Sequence, residues 1–158
     1  LPNRAVVSDR LSQALAAARR NGHRVGLLYI DLDRFKPVND AHGHAVGDLL
    51  LREVAIRMRG CVRESDTVGR IGGDEFVVLL PLIDTLPDAE IVAEKIRAAL
   101  AEPFHLADLW LEVSSSIGIA LYPDHGADAA ALMVHADAAM YVAKHRGRDR
   151  VTVFSLVA

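Results

Sequence analysis

The sequence predicts an α+β domain: a central, mostly antiparallel sheet of about five strands covered by helices, with a small β-hairpin beside it. Three observations carry this. Amphipathic helical segments and short apolar runs are interspersed along the whole chain. Several neighbouring runs are joined by hairpin-type turns. A length of 158 residues, 51% of them hydrophobic, suffices for one sizeable core.

From about Ser8 to Arg20 the chain is rich in Ala and Arg, with Leu11, Leu15 and Ala18 at helical spacing. Asn21-Gly22 stops this helix. "VGLLYIDLD" then reads as a buried strand ending in acids. "RFKPVNDAHGHAVGD", with Pro37, Gly43 and Gly47, reads as a structured loop leading into a helix. That helix places Val46, Leu49, Leu50, Val54 and Met58 on one face.

"TVGRI" and "EFVVLLP" are two strands around the glycine-rich centre Gly72-Gly73-Asp74, a hairpin signal. Pro87 to Leu100 is a helix, with Pro87 near its start and Asp88 and Glu90 in its first turn. "FHLADLWLEV" is a small hairpin turning at Ala107-Asp108, and "SSSIGIALYP" a strand in which Gly118 signals close backbone approach. The helix "DAAALMVHADAAMYVAKHR" has Leu132, Met133, Ala136, Met140 and Tyr141 on its apolar face. Gly147 ends it, and "RVTVF" is the final strand. No linker, repeat or low-complexity segment interrupts residues 1–158, which read as a single domain. The opening "LPNR", without an initiator Met, suggests a piece excised from a longer multidomain protein.

A net charge of −3 argues against a nucleic-acid polymer as partner. The single Cys61 excludes an internal disulfide and fits a reducing, cytoplasmic compartment, with membrane attachment of the parent left open. Cys61 itself reads as a small core residue, and the seven histidines as structural or surface residues.

The chemistry lies in the acids. Asp31 and Asp33 end the first strand, and Asp74 and Glu75 sit at the hairpin tip. If those strands are neighbours, the carboxylates meet at one sheet edge and repel unless a divalent cation joins them. Hard oxygen ligands suit Mg²⁺ or Mn²⁺, and two such ions can clamp a displacement at phosphorus. Each acid also has a plain reading as a solvated turn residue, the stronger one for Asp33. Gly72 and Gly73 weigh against it at the tip, because a polar turn does not need two residues without side chains. Lys144 and Arg148, four apart at the end of the last helix, suit phosphate oxygens, though basic residues there are favoured by the helix dipole anyway.

Together these segments resemble the GGDEF family of diguanylate cyclases. The name motif is spelled in full at Gly72 to Phe76. "LPNR", "DLDRFKPVNDAHGHAVGDLLL", "RESDTVGRIGGDEF", "SIGIALYP" and "ADAAMYVAKHRGR" follow the family's order over essentially the whole chain. The resemblance implies a palm-like nucleotide cyclase fold and a bacterial second-messenger enzyme. Two GTP molecules would condense into cyclic di-GMP and two pyrophosphates, the 3′-hydroxyl of one nucleotide attacking the α-phosphorus of the other across a homodimer.

It further implies Asp31, the Leu32 carbonyl, Asp74 and Glu75 as ligands for two Mg²⁺ or Mn²⁺ ions, with Asp74 or Glu75 assisting the attacking hydroxyl. Asn39 and Asp48 would read guanine, which presents an acceptor and two donors where adenine does not. Backbone amides at Phe35 and Lys36, with Lys144 and Arg148, would hold the triphosphate. Lys36 reads alternatively as a shield for the acids, Asn39 and Asp48 as capping or turn residues, and His44 as a structural hydrogen-bonder.

Arg63 and Asp66 in "RESD" match the family's inhibitory RxxD motif, which binds cyclic di-GMP for product feedback. On composition alone the same two residues are a surface ion pair. Two departures stand out. Lys95 occupies the place where a family Arg from the neighbouring subunit would help, which would weaken product bridging. Asp149 follows "GR" where the family often has Asn, and an acid there would draw Arg148 from the phosphates. Sensor, receiver or phosphodiesterase domains are the expected neighbours in the parent chain. The competing expectation is a catalytically weak module that binds GTP or cyclic di-GMP and regulates an attached partner.

Overall fold

The computed structural model describes residues 1–156. The elements follow the order α1 (Arg4–Asn21), β1 (Arg24–Asp33), α2 (Phe35–His42), α3 (His44–Arg59), β2 (Thr67–Gly72), β3 (Glu75–Ile83), α4 (Leu86–Ala101), β4 (Phe104–Leu106), β5 (Leu109–Leu111), β6 (Ser114–Tyr122), α5 (Ala129–His145) and β7 (Arg150–Val153). The central sheet has five strands in the order β2-β3-β1-β6-β7, and β4-β5 form a separate two-stranded hairpin. All central pairs are antiparallel except β6–β7, which α5 joins as a parallel crossover.

β1 sits in the middle of the sheet, and strand alternation divides its side chains between two cores. Leu28, Ile30 and Leu32 face one way, joining Phe76, Val78, Ile117 and Ile119 beneath α2, α3 and α4. Val25, Leu27 and Tyr29 face the other way, into a core formed with α1 and α5. Asp31 and Asp33 continue the second series, so their carboxylates emerge on the α5 side.

Gly118 allows that arrangement. A Cβ there would collide with the Ala136 carbonyl oxygen and the Met140 amide nitrogen, so α5 lies on bare backbone at this point of β6. The small hairpin turns as expected at Ala107-Asp108, both with positive φ, 49° and 62°.

Several local expectations are corrected. α1 begins at Arg4 rather than near Ser8, because the Asn3 side chain accepts from the Val6 amide and caps a turn that composition does not mark. The segment expected as a loop contains α2, which begins straight after Arg34, a residue with φ of 65°. Leu49 and Tyr141 are exposed rather than buried, while Leu51 and Ala139 take core places. Cys61 is half-buried at the core's margin. The His44 ring is exposed in the first turn of α3 and makes no hydrogen bond within the described residues.

Candidate active site

The β2–β3 hairpin delivers its tip to the end of β1. Asp31 pairs in register with Glu75, and the Leu32 amide donates to the Asp74 carbonyl oxygen at 3.2 Å. The turn itself is held by the Arg70 Nε, which donates to the Gly73 carbonyl oxygen at 2.9 Å. Gly73 has a φ of 49°, and side chains added at Gly72 or Gly73 would meet only open space. Backbone is therefore presented bare beside the acids.

Asp31 is strained electrostatically. Burial, followed by the charge of Asp74, pushes its carboxyl up to about 7, although Lys144 opposes the shift. Its Oδ1 is buried without a hydrogen-bond partner. An unpartnered hard oxygen beside a second carboxylate fits a divalent cation. Among the described residues, no three His, Cys, Asp or Glu side chains are grouped closely enough to hold an ion by themselves. The Leu32 carbonyl and phosphate oxygens would have to complete the coordination, as is usual for Mg²⁺. Glu75 is oriented by the Tyr29 hydroxyl, which donates to its Oε1 at 3.2 Å. Burial first, then Glu75, pushes the Tyr29 phenol up to about 12, so it remains a donor.

Asp33 is not the solvated turn residue its position suggested. It is fully buried and accepts from Ser114 Oγ at 2.6 Å, Ser116 Oγ at 2.8 Å, the Asp149 amide at 3.0 Å and Lys144 Nζ at 3.1 Å. Burial alone would raise its pKa, but the hydrogen bonds together hold it below the usual carboxylate value. The two serines sit opposite Asp33 and Asp31 on β6. The sequence shows them only as part of the run Ser114-Ser115-Ser116 that opens an otherwise apolar strand.

Lys144 Nζ also lies 3.3 Å from Asp31 Oδ2 and 3.4 Å from the Leu32 carbonyl oxygen. It therefore rests on the same two groups expected as metal ligands. Beside it opens a cleft of about 790 Å³, lined by Leu32, Phe35, Lys36, Asp74, Lys144 and Arg148 among others. The N-terminus of α2 faces this cleft without a side-chain cap, which leaves the Phe35 and Lys36 amides for an anion. The Lys36 ammonium is exposed and only loosely paired, at 3.9 Å from Asp40.

The packing of α2 on α3 sets Asn39 against Gly47, the residue before Asp48. The Asn39 side chain lies over Gly47, where any Cβ would overlap Oδ1, and that Oδ1 is buried without a partner. Asp48 is exposed at the edge of a separate pocket with Arg70 and Phe76. Arg63 and Asp66 lie on another face. The Arg63 amide, Nε and terminal nitrogen all bond the Asp66 carboxylate, at 2.8, 3.3 and 3.1 Å. Both Asp66 oxygens are thus engaged, and Lys95 of the same chain lines the pocket around them.

The match to known proteins is extensive. Residues 1–150 match the family described as diguanylate cyclase, GGDEF domain. This chain belongs to that family. The GGDEF domain is 49% identical over 154 residues to the bifunctional diguanylate cyclase/cyclic di-GMP phosphodiesterase MucR of Pseudomonas aeruginosa, covering 98% of this chain and 22% of MucR. It thus spans about a fifth of that relative. The crystal structure of the GGDEF domain of TpbB from the same organism superposes with a TM-score of 0.97 at 46% identity, covering 99% and 98% of the two chains. The GGDEF domain of DgcB from Caulobacter crescentus, solved in complex with c-di-GMP, superposes with a TM-score of 0.89 at 30% identity, covering 97% and 91%. Among the described residues of this GGDEF domain, no helix is long and apolar enough to cross a membrane.

Proposed function

We propose that this domain condenses two GTP molecules into cyclic di-GMP, two copies of the domain each holding one nucleotide. The observation that carries the reading is the unpartnered, buried Asp31 Oδ1 beside the Asp74-Glu75 tip, with Asp74, Lys144, Arg148 and the uncapped N-terminus of α2 lining the adjoining cleft.

Asn39 and Asp48 orient the guanine, and the α2 amides, Lys144 and Arg148 hold the triphosphate. Gly72 and Gly73 let the nucleotide lie against the hairpin. Each 3′-oxygen bonds the other nucleotide's α-phosphorus as its bond to pyrophosphate breaks. Asp74 and Glu75 stand ready to take the hydroxyl proton, with Glu75 aimed by Tyr29. Mg²⁺ or Mn²⁺ held by Asp31, the Leu32 carbonyl, Asp74 and Glu75 would lower the pKa of the attacking hydroxyl and offset charge on the phosphates. Arg63, swung away from Asp66, would bind product cyclic di-GMP and give feedback inhibition. Sensor, receiver or phosphodiesterase domains of a parent chain would supply the signal.

Incubation of concentrated domain with GTP and Mg²⁺ or Mn²⁺ should yield cyclic di-GMP, and Asp74→Ala should abolish it. GTP binding without product would favour a regulatory module. Failure to bind GTP would overturn both readings.

A further inference from the structure

The turn that follows α5 carries three successive residues with positive φ: Gly147 at 124°, Arg148 at 61° and Asp149 at 46°. Two of these are not glycine, so the turn needs support. The Arg148 amide donates to the Ala143 carbonyl oxygen and the Arg150 guanidinium to the Arg148 carbonyl oxygen, both at 3.0 Å, and two side chains from far along the chain add to this. From inside, the buried Asp33 carboxylate accepts from the Asp149 amide while also gripping Lys144. From outside, Arg97 of α4 donates to Asp149 Oδ1 at 2.6 Å. Arg97 is itself locked by three contacts of 2.6 to 3.1 Å to Glu94, one α-helical turn earlier. The acid at 149, which lines the cleft beside Arg148, is therefore paired with Arg97 rather than with Arg148.

We propose that Asp33 and Arg97 are positioning residues for the triphosphate: Asp33 fixes Lys144 and the turn backbone, and Arg97 clasps Asp149, so that both phosphate cations are preset at the cleft. The proposal rests on Lys144 and Arg148 acting as triphosphate cations. Asp33 has both oxygens occupied by protein donors and does not line the cleft, so its role is exerted through Lys144 and the turn. Arg97 does not line that cleft either, and one ion pair links it to the site.

The test uses Arg97→Met and Asp33→Asn, with Arg97→Lys as the conservative rescue. Binding of a GTP analogue with a methylene between the α- and β-phosphorus, which cannot release pyrophosphate, is measured by calorimetry beside KM, kcat and Tm. Arg97→Met should weaken analogue binding and raise KM by roughly fivefold to tenfold, the loss of one charge-assisted contact, with kcat nearly unchanged. Arg97→Lys should recover part of the loss. Asp33→Asn should weaken binding further, because Lys144 loses its anchor too. Manganese binding without nucleotide, read by electron paramagnetic resonance, should be unchanged in Arg97→Met. Unaltered KM and analogue affinity in folded Arg97→Met would overturn the proposal, as would a fall in kcat that merely tracks lost folded protein. Wild-type protein that binds no analogue would sink the cyclase reading along with it.

Discussion

Lys144 Nζ stands 3.1 Å from Asp33 Oδ1 and so gives a fully buried carboxylate its only cationic partner among the described residues. The same ammonium contacts Asp31 at 3.3 Å. One cation thus serves a structural acid and a proposed metal ligand.

Lys144→Met should therefore do two things. Removing a charged partner from buried Asp33 should cost about 1–3 kcal/mol, read by urea denaturation, because three other donors remain. GTP affinity should fall as well. A variant that lost neither would disprove the contact's importance.

Gly47→Ala places a methyl group where Asn39 Oδ1 lies. The amide is the end of a side chain and can turn away, so the fold should survive. Guanine recognition should suffer by one hydrogen bond, roughly tenfold in GTP affinity. Competition binding with GTP and ATP reads this as narrowed discrimination. Equal loss for both nucleotides would point to a different cause.

At Gly118 the obstruction is backbone, not a movable side chain. Gly118→Ala should force α5 off β6 and cost about 3 kcal/mol or more. Thermal unfolding near the wild-type Tm would refute the close-approach reading.

The RxxD pair separates binding from folding. Arg63→Ala should abolish feedback by cyclic di-GMP while leaving the initial rate close to wild type, because Arg63 is exposed and distant from the acids at the tip. Asp66→Ala should instead destabilise the domain, since it strips the Arg63 amide of its acceptor. Progress curves with added product test the first claim and denaturation the second.

His125 gives a pH dependence independent of the acids. Its Nδ1 accepts from the Leu121 amide at 2.9 Å, its ring lies edge-on to Phe154, and its carbonyl oxygen is bonded by His135. Burial lowers its pKa, with His135 adding to the shift and Asp124 opposing it. A folded pKa below the unfolded value means the neutral ring's contribution is fully present above about 6.5 and is lost as pH falls through the folded value. Stability should therefore drop as pH falls below about 6.5, more steeply in wild type than in His125→Gln. Parallel profiles would exclude His125 as the source.

Much of this was legible in the residue string. Short apolar runs marked every strand of the sheet, helical segments were read at four of the five helices of the described residues, and Gly72-Gly73 flanked by apolar runs marked the hairpin. Asp31 and Asp74 stood out because carboxylates suit a metal ion, whereas Lys144 and Arg148 gained a phosphate role only through the family resemblance. α2 was missed because eight residues containing a proline and no cap leave little periodic signal.

Local sequence could not decide what depends on packing from far along the chain. Asp33 is a buried anchor because Ser114, Ser116, Lys144 and Asp149, all eighty or more residues later, converge on it. Asp149 faces Arg97 because α4 passes beside the turn after α5. A carboxylate's environment is set by what surrounds it in space. The sequence by itself determined which side chains are offered for the proposed metal, phosphate and guanine contacts. The tertiary structure alone decided which acid keeps one buried oxygen without a partner, Asp31, and which has both oxygens consumed in hydrogen bonds, Asp33.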